Sequence, residues 1–145
     1  MNIEIFPAET ATPELAASIG RLLTDLSPRF DGAPINLELL EQMIKSPTTA
    51  LLLAKLDDEI VGMATLNLLI RPIGKTAFLD GFVTKKSAQG QGIGSQLWNA
   101  ALDWARQNGA AKIEFTSNSS RTQAHKFYKK RGAKISPTDF FEKIL

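Results

Sequence analysis

Few side chains in this 145-residue sequence are suited to chemistry, and the densest signal is a backbone one. The stretch "AQGQGIGSQLW", residues 88–98, places Gly90, Gly92 and Gly94 within five positions and then runs into helix-forming residues. Glycine is costly in ordered structure, so this density marks a turn that needs backbone freedom or a close approach. A strand-to-helix turn leaves successive amide N–H groups unpaired at the positive end of the helix dipole, a place where phosphate binds. Two common phosphate loops are excluded. The Walker form needs Gly-Lys-Ser/Thr, which is absent, and G-x-G-x-x-G counted from Gly90 ends on Ser95 instead of glycine. A ligand-free turn eased by glycine remains the alternative on spacing alone.

The other reactive types are nearly single copies. There is no cysteine, which removes disulfides, thiolate metal sites and a thiol nucleophile. His125 is the only histidine and reads as a surface residue, so no metal site is expected. Tyr128 is the only tyrosine, beside Phe127 in "KFYKK"; of the two, Phe127 is the better core candidate, because helix neighbours point in different directions. Asp80 lies in "FLDGFV", one residue before Gly81.

Charge divides unevenly along the chain. Residues 1–80 hold six Lys/Arg against eleven Asp/Glu, and residues 81–145 hold eleven against four. Either exposed helix faces differ, or the C-terminal half handles an anion. A net charge of +2, with few aromatics among the basic residues, does not predict nucleic-acid binding. No apolar run approaches the ~20 residues that span a bilayer, so no membrane association is expected. The start, "MNIEIFPAET", lacks the basic-then-apolar form of a signal peptide, and a cytoplasmic location is the expectation.

One domain over 1–145 is expected from length. "NIEIF" alternates as a strand, and Thr12 with Pro13 opens a helix whose Leu15, Ile19, Leu22, Leu23 and Leu26 share a face. "SPRFDGAP" breaks it, Asn36 caps a shorter helix with Leu40, Met43 and Ile44 on one side, and "SP" at 46–47 stops that one. "TALLLAKL" (49–56), a turn at Asp57-Asp58 and "IVGMATLNLLI" (60–70) form a hairpin, and "TAFLDGFV" (76–83) adds a strand with a glycine inside it, the mark of a bulge. A long helix follows from Ile93 through Ala105 and ends at "NG" (108–109). "KIEFT" reads as a strand, "SRTQAHKFYKK" as a helix terminated by Gly132, and "DFFEKIL" as a last strand. The order is β-α-α-β-β-β-α-β-α-β, a mixed α/β domain.

Gln89-x-x-Gly92-x-Gly94 fits Q/R-x-x-G-x-G/A, and here the chain resembles the GNAT N-acetyltransferase superfamily, which binds acetyl-CoA through this loop. The likeness runs from "FLDGFV" to "RGAK", residues 78–134, and includes "FYKKRGA", similar to the family's tyrosine segment; "TSNSSRTQAHKFY" resembles a bacterial subgroup. Residues 1–75 match in order of elements only.

The resemblance implies a central mixed, mostly antiparallel sheet with helices on both faces. It implies that Gln89, Gly90, Gln91, Gly92, Ile93 and Gly94 cradle the pyrophosphate, with Ser95 adding a hydroxyl. Main-chain groups of Phe82, Val83 and Thr84 would pair with the pantetheine arm, and an amide near Phe82–Val83 would meet the oxyanion. Tyr128 takes the general-acid place, giving a proton to the departing sulfur. Asp80 stands where the subgroup often has glutamate, and would deprotonate the amine through water or attract it; a carboxylate on a solvent-facing strand is the plain alternative. Arg121 stands seven residues before Tyr128, where many relatives carry an asparagine touching CoA, and an arginine there can reach the phosphates. The connection holding Phe30 and Asp31 would line the acceptor pocket.

The expected reaction is transfer of acetyl from acetyl-CoA to a primary amine in a ternary complex, without metal; dimers are common in such families. A catalytically idle CoA-binding or regulatory module is the alternative, and a nucleotide-phosphate binder a weaker one.

Overall fold

The computed structural model describes residues 2–145, which divide into two compact units, a first that ends at Phe115 and a second, Thr116–Leu145. In the first, strand β1 (Ile3–Pro7) leads to helices α1 (Pro13–Leu26) and α2 (Leu37–Lys45). Strands β2 (Thr49–Leu56), β3 (Glu59–Arg71) and β4 (Gly74–Thr84) follow, then a 3-10 turn at Lys86–Ala88, helix α3 (Ile93–Gln107) and the short strand β5 (Ile113–Glu114). Both N-terminal helices start as their sequences dictate. The Thr12 hydroxyl accepts from the Leu15 amide at 3.1 Å ahead of Pro13, and Asn36 Oδ1 accepts from the Leu39 amide at 2.9 Å. Each cap contributes roughly 1 kcal/mol. The β2–β3 turn falls on Asp57 and Asp58, both at positive φ, the geometry a two-residue hairpin needs.

The sheet order is β1-β2-β3-β4-β5, antiparallel except for the parallel β4–β5 pair, so the expected mixed and mostly antiparallel fold is the one observed. Helices cover both faces. Leu51, Leu53, Met63 and Val83 pack with Ile19 and Leu22 of α1 and Leu40 of α2. On the other face a Cβ on Gly62 would come within 2.9 Å of Leu97 Cδ1 in α3, and the Trp98 ring meets Phe82 and Phe115 edge-on.

In the second unit α4 (Thr122–Lys130) ends at Gly132, φ +88, where the Ala133 amide donates to the Tyr128 carbonyl and the Gly132 amide to Lys129. This is the left-handed C-terminal cap that glycine permits. The last strand expected at "DFFEKIL" does not form. Residues 139–145 hold no ladder, and Phe140, Phe141 and Ile144 are 75%, 87% and 83% exposed. Their apolar residues come as adjacent pairs around Glu142-Lys143, so both faces are mixed and neither can be buried as a stripe.

Candidate active site

The glycine loop is built from the end of β4 outward. Lys85 donates its amide to the Val61 carbonyl at 2.7 Å and pairs its ammonium with Glu59. The 3-10 turn closes with the Ala88 amide on the Lys85 carbonyl (2.9 Å), and Ala88 is buried. Gln89 then reaches back, its Nε2 donating to the Thr84 carbonyl at 3.3 Å, so loop and strand end are tied together. Gly90 and Gly92 lie at φ +83 and +84, left-handed angles that L side chains rarely adopt. A Cβ on either would find nothing within 4 Å, so conformation, not crowding by the protein, demands glycine, and the space beside them is open.

Gly92 is the N-cap of α3 and brings no side-chain cap. The first intrahelical bond runs from the Gln96 amide to the Gly92 carbonyl at 3.1 Å, so the Ile93 and Gly94 amides have no intrahelical acceptor. Those amides and the dipole form a cradle for an anion. Ser95 follows them in the first turn, half-buried. The buried Oε1 of Gln91 is an acceptor without a hydrogen-bond partner, so it answers a donor group and not a diphosphate, which offers only acceptor oxygens. The loop residues thus fit a diphosphate by their donors and by the room left beside them.

β4 carries the expected bulge. Met63 faces Val83 and Thr65 faces Asp80, so Gly81 and Phe82 together oppose Ala64 alone, with Gly81 at φ +59. The ladder to β5 covers only Ala77↔Ile113 and Phe78↔Glu114, while β4 runs on to Thr84. Because Lys85 bonds Val61, strand alternation turns the main chain of Val83 towards β3 and that of Thr84 towards the opposite edge. Val83 is also a core residue, so its main chain and side chain are both committed to the first unit's interior.

Opposed strand residues share a face. On the α1/α2 face, beyond the apolar cluster, Thr49 opposes Asn67 and Thr65 opposes Asp80, with Phe78 opposite Asn67. Thr49 donates to Asn67 Oδ1 at 3.0 Å. The Asp80 carboxylate is exposed and accepts from the Gly81 amide at 3.0 Å. This polar strip was not anticipated, although the alternation of Met63, Thr65 and Asn67 with Ala64, Leu66 and Leu68 holds the signal. Of the acceptor-side candidates, Phe30 is half-buried under the Arg29 guanidinium, 4.7 Å from its ring centroid. Asp31 is exposed and uses Oδ1 to accept from the Ala33 amide at 2.9 Å, which leaves Oδ2 for another partner.

In the second unit Tyr128 is 7% exposed and its ring meets that of Phe127 edge-on at 5.7 Å. Tyr128, not Phe127, is the buried member of the pair; Phe127 is half-buried with Arg131 stacked 3.5 Å from its centroid. Burial raises the Tyr128 phenol above its usual value, and the Arg121 guanidinium opposes that shift. Arg121 occupies the N-cap of α4. His125 is half-buried, with Nε2 3.1 Å from the Asn118 carbonyl.

Residues 18–133 match the Acetyltransferase (GNAT) family, and the chain belongs to it. It is 37% identical over 99 residues to an aminoglycoside N(6')-acetyltransferase type 1 of Klebsiella aerogenes, covering 61% of this chain and 62% of that protein. It is 36% identical over 86 residues to an aminoalkylphosphonate N-acetyltransferase of Salmonella typhimurium, covering 58% and 56%. The matches therefore span less than two thirds of either relative's length. A solved structure of a transcriptional regulator from Bacillus halodurans C-125 superimposes with a TM-score of 0.87 at 25% identity, covering 99% of this chain and 100% of that one.

Proposed function

We propose that this chain transfers an acetyl group from acetyl-CoA to a primary amine by direct attack in a ternary complex. The observation that carries the reading is the loop from Gln89 to Gly94: two left-handed glycines, open space beside them, and uncapped amides at the mouth of α3. Those amides hold the pyrophosphate, and the Thr84 edge of β4 with the neighbouring Phe82 backbone orients the pantetheine arm. The thioester supplies the activated acyl group. A β4 amide beside the Gly81 bulge donates to the developing oxyanion. Asp80 attracts the ammonium form of the acceptor and takes its proton through water; a protonated lysine-like amine (pKa ~10.4) has no lone pair to attack with. Tyr128, by the match of its segment to the family, returns a proton to the departing thiolate, and Arg121 steadies the cofactor's phosphates. No cysteine competes as an acyl carrier, which favours direct attack.

The acceptor is a hydroxyl-bearing cationic amine. Thr49, Thr65 and Asn67 offer hydroxyl and amide groups in register with the Asp80 carboxylate, and an anionic acceptor would meet that carboxylate unfavourably. The Klebsiella relative is named for aminoglycosides, which have this chemistry. A regulatory module that binds CoA without turnover is the second reading, favoured by the similarity to a transcriptional regulator. Release of free CoA thiol from acetyl-CoA, measured across an aminoglycoside, spermidine and 2-aminoethylphosphonate, decides between them. Turnover greatest with the aminoglycoside is expected. CoA binding with no thiol released from any amine supports the regulatory module, and stabilisation by ATP but not CoA refutes both.

A further inference from the structure

The amide of Lys86 donates to Oδ2 of Asp25 at 3.0 Å, across a sequence separation of 61. Asp25 lies in the last turn of α1, which holds no basic residue. A carboxylate there faces the negative end of the helix dipole, the wrong sign for the stability of α1 itself. Among the described residues Asp25 makes no ion pair, and this amide is its hydrogen-bond partner. Lys86 is the first residue of the 3-10 turn, where an N–H has no partner within the turn, so Asp25 supplies from a distant helix the cap that the local sequence lacks.

From that point the chain is stiff up to the glycines. The Ala88 and Gln89 amides bond to Lys85 and Lys86, Ala88 is buried, and Gln89 returns to Thr84. Beyond it, Gly90 and Gly92 have open space where a Cβ would stand, so the loop spans from the base at Lys86–Gln89 to the buried Ile93 and takes its attitude from those two ends. We propose that Asp25 is a positioning residue for the phosphate loop: by holding the Lys86 amide it sets the attitude at which the Gln89–Gly94 amides meet the diphosphate of acetyl-CoA. The role is geometric. A negative charge beside a diphosphate site repels the ligand, so the benefit of Asp25 comes from its bond and not from its charge.

This role rests on the loop being the CoA site, and one set of titrations separates the two. Calorimetry with CoA compares the wild type with Asp25→Asn, which keeps an acceptor oxygen without the charge, and Asp25→Ala, which keeps neither. Asp25→Asn is expected to bind as tightly as the wild type or tighter, and Asp25→Ala about fivefold more weakly, the loss of one hydrogen bond. The kcat at saturating acetyl-CoA stays unchanged in both. The melting temperature of Asp25→Ala stays within a few degrees of the wild type, since relief of the mismatch with the dipole offsets most of the lost hydrogen bond. Lys86→Pro removes the donor at a first-turn position where proline is tolerated, and compared with Lys86→Ala it tests the same bond should Asp25→Ala not fold. Asp25→Ala or Lys86→Pro binding like its control, Asp25→Asn as weak as Asp25→Ala, or a melting temperature that falls in step with affinity would each overturn the role. Wild-type protein that binds no CoA overturns the loop's assignment as well.

Discussion

At Tyr128 two influences oppose each other. Burial favours the neutral phenol and raises its pKa, while the Arg121 guanidinium favours the phenolate and lowers it; burial prevails. A folded pKa above the unfolded value means that the neutral phenol's contribution to stability is complete below the ordinary phenol pKa and is lost as pH climbs through the folded one. A donor to a thiolate must hold its proton at working pH, and this environment ensures it. Tyr128→Phe is expected to lower kcat by about 10²-fold with CoA affinity nearly unchanged, read by thiol release and calorimetry. In the wild type, log kcat should show no downturn attributable to this group below pH about 10. A basic limb near neutrality that vanishes in Tyr128→Phe would contradict the assignment. The sequence marked Tyr128 by its uniqueness and its segment, but the burial of Tyr128 over Phe127 was not legible, because two adjacent aromatics on a helix look alike without their surroundings.

Among the elements, β4 decides most. Its bulge places Asp80 on the face with Thr65 and turns Phe82 to the face with Trp98, and Gly81 allows this at φ +59. An alanine at that angle costs roughly 1 kcal/mol, with a further penalty if the bulge shifts and carries Asp80 out of register. Gly81→Ala should lower the melting temperature by a few degrees and kcat by about 10-fold, a larger relative effect on turnover than on stability. Full activity in that variant would mean that the bulge has no part in the chemistry. The capped helices and the hairpin were readable, since Thr12, Asn36 and Asp57-Asp58 act through bonds to near neighbours. The last strand misled because β-prone residues were present without the alternation that lets one face be buried.

Over the whole molecule, the basic surplus beyond residue 80 is the plainest feature, and it suits a ligand carrying several phosphate charges. Raising salt from about 0.05 to about 0.5 M shortens the screening length severalfold and should weaken CoA binding severalfold, measured by calorimetry. A salt-independent affinity would assign the binding to the loop amides alone. No helix among the described residues is long and apolar enough to cross a membrane.

By itself the sequence determined the family, the elements up to α4 and the glycine loop at the mouth of α3, because each rests on local backbone chemistry: glycine at positive φ, caps within three residues, side chains alternating along a strand. The tertiary structure alone decided which polar residues line up across Thr49, Asn67, Thr65 and Asp80, which aromatic is buried, and that Asp25 holds Lys86. Those facts depend on register and on contacts between segments tens of residues apart, which no local pattern of residue types encodes.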